Sequence, residues 1–209
     1  MTDARTRIVE RGYDEIADSF AEWSARVEGD QRERWRRELT DCLPDGARVL
    51  ELGCGAGVPD TQLLASRFLV TGIDVSGEQI RRARANVPAA DFAQSDFTQL
   101  RLAPDSFDAV AAFYSFNHVP RDVLGDLLVR IHSWLVPGGF FLAALGTGDT
   151  ESWTGDWLGT TMFFSSVPPE TNRRLLVEAG FELILDEIVT MIEPEPDGES
   201  TWQWVLARR

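Results

Sequence analysis

The chain has 209 residues, 44% hydrophobic and 26% charged, which is the composition of an ordinary globular protein of one domain, residues 1–209. Acidic residues outnumber basic ones by 34 to 20, and the net charge of −14 disfavours nucleic acid as a substrate. Apolar runs far shorter than about 20 residues, and an N-terminus without a secretory pattern, predict a cytoplasmic protein with no membrane partner.

The N-terminal segment, residues 1–42, is predicted to form a helical cap. Apolar residues between Thr6 and Trp23 recur at helical spacing, and a second helical stretch covers about Asp30 to Cys42. The two cysteines, Cys42 and Cys54, are too few for a disulfide framework, so both are expected to be reduced. We expect a monomer or a homodimer.

Apolar strands alternate with helical segments beyond Gly46. Seven strands are predicted, at Arg48–Leu52, Phe68–Ile73, Asp91–Ser95, Phe107–Phe113, Phe140–Leu145, Phe181–Met191 and Trp202–Ala207. Four helices are predicted between them, at Thr61–Ser66, Gly77–Asn86, Arg121–Leu135 and Thr171–Ala179. This alternation predicts a Rossmann-like α/β fold, a doubly wound and mostly parallel seven-stranded sheet with helices on both faces. An antiparallel C-terminal hairpin closes the predicted sheet.

Residues 146–170 interrupt this alternation with glycines and aromatic residues. A glycine-containing segment of this kind is typical of a lid on the substrate side of a site. Trp153 and Trp157 in this segment, together with Trp23 of the cap, are predicted to present an apolar wall to the substrate. An apolar or aromatic small molecule is the expected guest.

The strongest motif is the glycine-rich stretch Val49–Gly57, in which an acidic strand leads into three glycines. It follows a predicted strand and precedes a helix, and a second acidic strand end, Asp74, lies about 20 residues further on. An acid at that distance is placed to accept hydrogen bonds from ribose hydroxyls. A dinucleotide site would have a further glycine where this chain has Val58, which weakens the alternative of an NAD(P)-dependent oxidoreductase.

Together with this loop, four further motifs resemble those of the class I S-adenosylmethionine-dependent methyltransferases, in particular the small-molecule, type 11/25-like branch of that family. These motifs are Gly72–Ser76, Gln94–Phe97, Phe107–Val110 and Leu135–Gly139. The resemblance spans roughly residues 45 to 145. It implies an enzyme that uses S-adenosylmethionine, releases S-adenosylhomocysteine, and methylates a small metabolite of specialised metabolism by direct displacement. A non-catalytic protein that only binds S-adenosylmethionine stays open as an alternative.

The same resemblance implies roles for individual residues. It assigns to the cofactor Tyr13, Glu51, Gly53, Cys54, Gly55, Asp74, Val75, Asp96, Phe97 and Tyr114. In particular, Asp74 would hold the ribose and Asp96 with Phe97 would meet the adenine. The chain lacks the Asn/Asp-Pro-Pro-Tyr sequence of amino-directed DNA methyltransferases, and no metal site is predicted.

Two residues are candidates for catalysis, although a general base is optional because the sulfonium already activates the methyl group. His118 follows the fourth predicted strand, at the end where α/β active sites open, and is a candidate for catalysis and for substrate binding. Tyr13 would close over the methyl-donor side, as the resemblance implies. Ordinary structural roles, a packing tyrosine and a hydrogen-bonded histidine, are the alternatives for both.

Overall fold

The computed structural model describes residues 3–209, so the predictions that involve residues 1 and 2 lie partly outside the described part. Within this described part there are seven α-helices, α1 Ala4–Glu15, α2 Ala17–Ser24, α3 Arg32–Asp41, α4 Asp60–Leu64, α5 Gly77–Asn86, α6 Arg121–Trp134 and α7 Pro169–Glu178. Nine strands accompany them, β1 Arg48–Leu52, β2 Leu69–Asp74, β3 Asp91–Gln94, β4 Phe107–Ala112, β5 Leu135–Gly146, β6 Thr150–Trp157, β7 Thr160–Ser166, β8 Glu182–Glu193 and β9 Gly198–Arg208.

Seven of the strands form one sheet in the order β3-β2-β1-β4-β5-β9-β8. The pairs from β3 to β5 are parallel, and β9 runs antiparallel to both β5 and β8. Apolar clusters cover both faces of the sheet, one centred on α6 and one on α3. The predicted doubly wound sheet with its antiparallel C-terminal hairpin is therefore confirmed. The carboxyl ends of β1, β2 and β4 meet at one edge, where ligands bind in such sheets.

The fifth strand of the sheet begins earlier than predicted. The sequence predicted a helix ending at Leu135 and a strand starting at Phe140, which leaves Pro137 and its two following glycines between them, but β5 starts at Leu135, directly after the helix. The register jumps from Phe107 paired with Leu135 to Ala109 paired with Phe140. The Pro-Gly-Gly stretch is thus a bulge inside the strand, with Gly138 at φ +81°.

Residues 146–170 contain a regular hairpin, which the sequence did not predict. Strands β6 and β7 pair antiparallel in a separate two-stranded sheet, with Trp153 opposite Phe164. Met162 and Phe163 of β7 are fully buried, and Val9 of α1 packs with them in a small apolar cluster. A Cβ at Gly12 would lie 2.6 Å from Met162 Cε, so the helix and the hairpin are in close contact.

The N-terminal cap consists of three helices rather than two. The helical spacing between Thr6 and Trp23 is interrupted at Ile16, whose φ of −100° and ψ of 13° end α1 and begin α2. Helix α3 docks on the sheet through Trp35, which stacks on Trp204 with ring centroids 5.6 Å apart. Among the described residues, no helix is long and apolar enough to cross a membrane.

Candidate functional site

A cavity of about 910 Å³ opens at the carboxyl edge of the sheet. Its walls come from the loops after β1, β2 and β4, from α1 and α2 of the cap, from the β6–β7 hairpin, and from the end of β8 and start of β9. Its volume lies at the upper end of the range for small-molecule sites. The cap and the hairpin, both outside the main sheet, therefore cover the edge where a doubly wound sheet binds ligands.

The glycine-rich loop and Asp74 form one hydrogen-bonded unit at the floor of the cavity. The Asp74 carboxylate accepts hydrogen bonds from the backbone N–H of Gly55 and of Ser76, both at 2.9 Å. Burial raises the pKa of Asp74, and these backbone donors oppose the rise. Each carboxylate oxygen has lone-pair capacity beyond the one hydrogen bond it accepts here, so Asp74 can accept further hydrogen bonds from a bound ligand.

Two glycines of the loop are required for different reasons. Both have positive φ, +76° at Gly53 and +52° at Gly55. A Cβ at Gly53 would lie 2.3 Å from the Cβ of Ser115, so the loop after β4, which contains Ser115, could not pack against the glycine-rich loop. A Cβ at Gly55 would meet nothing nearer than 4.0 Å, and Gly55 lines the cavity. The missing side chain at Gly55 therefore leaves space for a ligand beside the backbone.

A network of charged residues lies on one side of the loop. Arg32 donates to Asp30 at 2.6 Å and to Asp60 at 3.2 Å, and Asp60 also pairs with Arg36 at 2.5 Å. Glu51 accepts a hydrogen bond from the Thr61 hydroxyl at 2.6 Å. Burial, with the charge of Asp60 as the second cause, raises the pKa of Glu51 to about 8. Glu51 is therefore largely protonated near neutral pH.

Tyr114 has a strained backbone at the end of β4. Its φ is +61°, a region that side chains other than glycine seldom adopt. Its hydroxyl donates to Asp30 at 2.6 Å, and the guanidinium of Arg32 lies 4.9 Å from its ring centroid. Contacts to Trp202 and Trp204 hold the other side of the ring. Backbone strain of this kind is maintained by surrounding contacts and clusters at functional sites.

Tyr13 and His118 form a hydrogen-bonded pair across the cavity. His118 Nδ1 lies 2.7 Å from the carbonyl oxygen of Phe163, which can only accept, so Nδ1 carries the proton. His118 Nε2 then accepts from the Tyr13 hydroxyl at 2.9 Å. Burial lowers the pKa of His118 to about 4 and raises the pKa of Tyr13. At neutral pH the imidazole is therefore neutral, and the lone pairs of the Tyr13 oxygen are available to a ligand.

Aromatic rings cover the cavity on the side away from the glycine loop. Trp157 of the hairpin contacts Tyr13, Phe20 and Trp23 with centroid distances of 6.2, 6.0 and 5.3 Å. Phe164 lies beneath, 4.8 Å from the ring of His118. The Trp23 indole N–H donates to Asp197 at 3.0 Å, which connects α2 to the turn before β9. These rings provide a flat apolar surface for a planar guest.

Most residues selected from the sequence line this one cavity. Among them are Tyr13, Trp23, Glu51, Gly53, Cys54, Gly55, Asp74, Val75, Phe97, Tyr114, His118 and Trp157. Asp96 is not in the lining; one of its oxygens accepts from the backbone N–H and the hydroxyl of Thr98, and the other is buried without a partner. Trp153 is not in the lining either; it is 42% exposed and packs on Phe164.

Other residues in the lining were missed by the sequence analysis. The side-chain Nε2 of Gln79 and Oδ1 of Asn117 are buried without hydrogen-bond partners. Buried polar atoms normally have partners, so these two are available to a ligand that both accepts and donates. Arg32 and Glu193 also line the cavity. Arg32 lies in the predicted cap and Glu193 near the final turn, far along the chain from the glycine motif, and no local motif marks either.

Fold and site together define an α/β protein with a cavity at the carboxyl edge of its sheet, covered by a cap and a hairpin that contact each other. Comparison with known proteins is consistent with this class. Residues 49–139 match the family model described as a methyltransferase domain. The matched part contains the glycine loop, Asp74 and His118.

Similar proteins extend the match. An uncharacterised methyltransferase of Synechocystis sp. is 29% identical over 68% of this chain and 70% of its own length. Trans-aconitate 2-methyltransferase of Paracidovorax citrulli is 39% identical, over 53% of this chain and 44% of its own length. The Burkholderia thailandensis 1,6-didemethyltoxoflavin-N1-methyltransferase, crystallised with its substrate and S-adenosylhomocysteine, has a TM-score of 0.69 at 22% identity, covering 98% of this chain and 86% of that one.

Residues 49–139 thus carry a methyltransferase domain, and the chain shares its fold with S-adenosylmethionine-dependent methyltransferases. The predicted enzyme class and the predicted cofactor, S-adenosylmethionine, are thereby confirmed, and the oxidoreductase alternative has no support. The cavity fits this cofactor. The open space beside Gly55 and the unpartnered polar atoms of Gln79 and Asn117 suit a ligand that carries hydroxyl, ammonium and carboxylate groups.

Proposed function

We propose that this protein transfers a methyl group from S-adenosylmethionine to a small, apolar or aromatic acceptor. The observation that carries the proposal is that one cavity joins a glycine-loop half to an aromatic half. One relative named for trans-aconitate and one structural neighbour named for 1,6-didemethyltoxoflavin support a small acceptor, whereas the aromatic rings of the cavity support an apolar or aromatic one. When bound, S-adenosylmethionine supplies an electrophilic methyl group. The work left to the protein is to align the acceptor and exclude water.

In the glycine-loop half, Asp74 accepts from the ribose hydroxyls and Gly55 gives the ligand close access to the backbone. Asp74 lies in the same hydrogen-bonded unit as the loop, which supports this assignment. Phe97 lines the cavity and is the contact for the adenine. Arg32, which lies beside Glu51 and Asp60 on this side, is the partner for the ligand's carboxylate.

In the aromatic half, Tyr13 and His118 act together as the proton acceptor. The Tyr13 oxygen takes the proton that the methylated substrate loses, while the Tyr13 hydroxyl proton passes to His118 Nε2 along the hydrogen bond of 2.9 Å. The Phe163 carbonyl holds the opposite nitrogen of the ring and so fixes the direction of the relay. Contacts with Phe20 and Trp157 hold the Tyr13 ring in place. Each residue thus needs the other.

A methyl-transfer assay tests the proposed function. The purified protein is incubated with methyl-labelled S-adenosylmethionine and a panel of aromatic phenols, amines and heterocycles, and labelled product and S-adenosylhomocysteine are quantified by mass spectrometry. We expect labelled product with at least one aromatic acceptor, formed in equal amount to S-adenosylhomocysteine. Tight binding of S-adenosylhomocysteine without transfer to any member of the panel would support the non-catalytic alternative instead.

Removing either member of the Tyr13–His118 pair should slow transfer to a hydroxyl acceptor by about 100-fold, the lower end of what general base catalysis contributes. Tyr13→Phe keeps the ring and His118→Asn keeps a polar side chain, so kcat should fall while KM changes little. Because the two act in series, the double variant should be about as slow as the slower single variant. Additive losses, or an unchanged kcat in Tyr13→Phe, would show that the pair only supports packing.

A further inference from the structure

The charged residues around the cavity are mostly acidic. Among the described residues, the acidic and basic side chains in the lining are Asp30, Arg32, Glu51, Asp60, Asp74, Arg82 and Glu193. Both cations are already paired within the protein. Arg32 pairs with Asp30 and Asp60, and Arg82 pairs with Asp18 at 2.8 Å and Glu78 at 2.7 Å. Both arginines also lie toward the glycine-loop half.

Among these lining residues, Glu193 lies beside Asp197, which accepts a hydrogen bond from Trp23 of the aromatic half. Glu193 is the last residue of β8 and is paired in register with Gly198 at the start of β9. It is half-buried, and withdrawal from water raises its pKa, with nearby Asp197 adding to the rise. Asp197 is tied to this wall by the Trp23 indole N–H. The wall around Glu193 therefore combines acidic side chains with the faces and edges of indole rings.

Resting on the methyl transfer proposed above, we infer that the aromatic half selects aromatic acceptors that are neutral or cationic, with Glu193 as the partner of a basic amine, and excludes carboxylates. A carboxylate in this half would lose water without gaining an unpaired cation, which is costly. An ammonium group gains the opposite charge of Glu193 and contact with aromatic faces, which attract cations. The net charge of −14 acts in the same direction at longer range.

Matched probes with a common ring test this inference. Tryptamine and indole-3-propionate carry the same indole and differ in the sign of the charge on a short chain. Each is titrated by calorimetry at about pH 8, above the ordinary range of carboxyl groups, into protein saturated with S-adenosylhomocysteine. Tryptamine should bind at least about tenfold more tightly than indole-3-propionate, a difference of the size that one favourable charge contact gives.

Two variants distinguish the effect of Glu193 on probe binding from the effect of the protein's overall negative charge. Glu193→Gln should reduce the preference for tryptamine to less than about threefold, whereas Glu199→Gln, which removes the same charge from an exposed position on β9, should leave it unchanged. Equal or tighter binding of the carboxylate, binding of neither probe, or a preference that survives in Glu193→Gln would overturn the inference. Before the probes are added, the protein is titrated with S-adenosylhomocysteine alone. If no binding is seen in that titration, the proposed function is contradicted rather than the selectivity inferred here.

Discussion

Replacing Asp74 with alanine should weaken S-adenosylhomocysteine binding by about 100-fold, measured by isothermal titration calorimetry. The carboxylate lies at the end of β2, accepts hydrogen bonds from Gly55 and Ser76, and lines the cavity. Its loss removes the proposed ribose contacts and also the bond that holds the loop against β2. Hydrogen bonds to a charged group each contribute about 1.5–3 kcal/mol, and two such contacts account for a change of this size.

Asp108→Ala is the matched control. Asp108 also accepts a hydrogen bond from a backbone N–H, that of Arg48 at 2.7 Å, but it lies at the opposite edge of the sheet. Both variants should lose a comparable part of their thermal stability. Only Asp74→Ala should lose ligand affinity. If the two variants bound S-adenosylhomocysteine equally well while folded, Asp74 would have no role in binding.

Replacing Trp35 with alanine should lower the free energy of unfolding by about 3–5 kcal/mol, the usual cost of removing a large buried aromatic side chain. Trp35 is fully buried, and it stacks on Trp204, which is fully buried as well, with an angle of 5° between the rings. This pair attaches α3 to the sheet. For a chain of this size the change corresponds to a fall in Tm of about 10 °C, measured by differential scanning calorimetry.

Trp153→Ala provides the comparison for Trp35. Trp153 has a similar volume but is 42% exposed, so its replacement should lower the free energy of unfolding by at most about 1 kcal/mol. A small effect at Trp35, similar to that at Trp153, would contradict the docking of α3 on the sheet. The same comparison tests the fold of the cap, because Arg32 and Arg36 of the same helix reach Asp60 beside the cavity.

The sheet and the glycine-loop half of the site could be predicted because their signals are local. An apolar strand that ends in an acid and three glycines requires a tight turn with positive φ, and Gly53 and Gly55 have it. Five of the predicted strands lie in a parallel arrangement whose carboxyl ends meet by topology. Asp74 and His118 each follow a strand at that edge, so their position near the cavity follows from the fold class.

The aromatic half was harder to predict because it depends on contacts between distant parts of the chain. Trp153 and Trp157 lie four residues apart in the same strand, yet only Trp157 lines the cavity. The sequence does not contain the register of β6 on β7, and it does not show which hairpin face α1 covers. The role of Glu193 likewise depends on the β8–β9 turn approaching α2, through a bond between Trp23 and Asp197.

The central claim is that the loop at residues 53–57 and Asp74 hold the cofactor in one cavity with the aromatic wall. A crystal structure of the complex with S-adenosylhomocysteine tests it most directly. We expect the ribose hydroxyls within hydrogen-bond distance of Asp74, the adenine beside Phe97, and the sulfur directed toward Tyr13 and His118. Density for the ligand elsewhere on the protein, or a ribose that does not contact Asp74, would contradict the account.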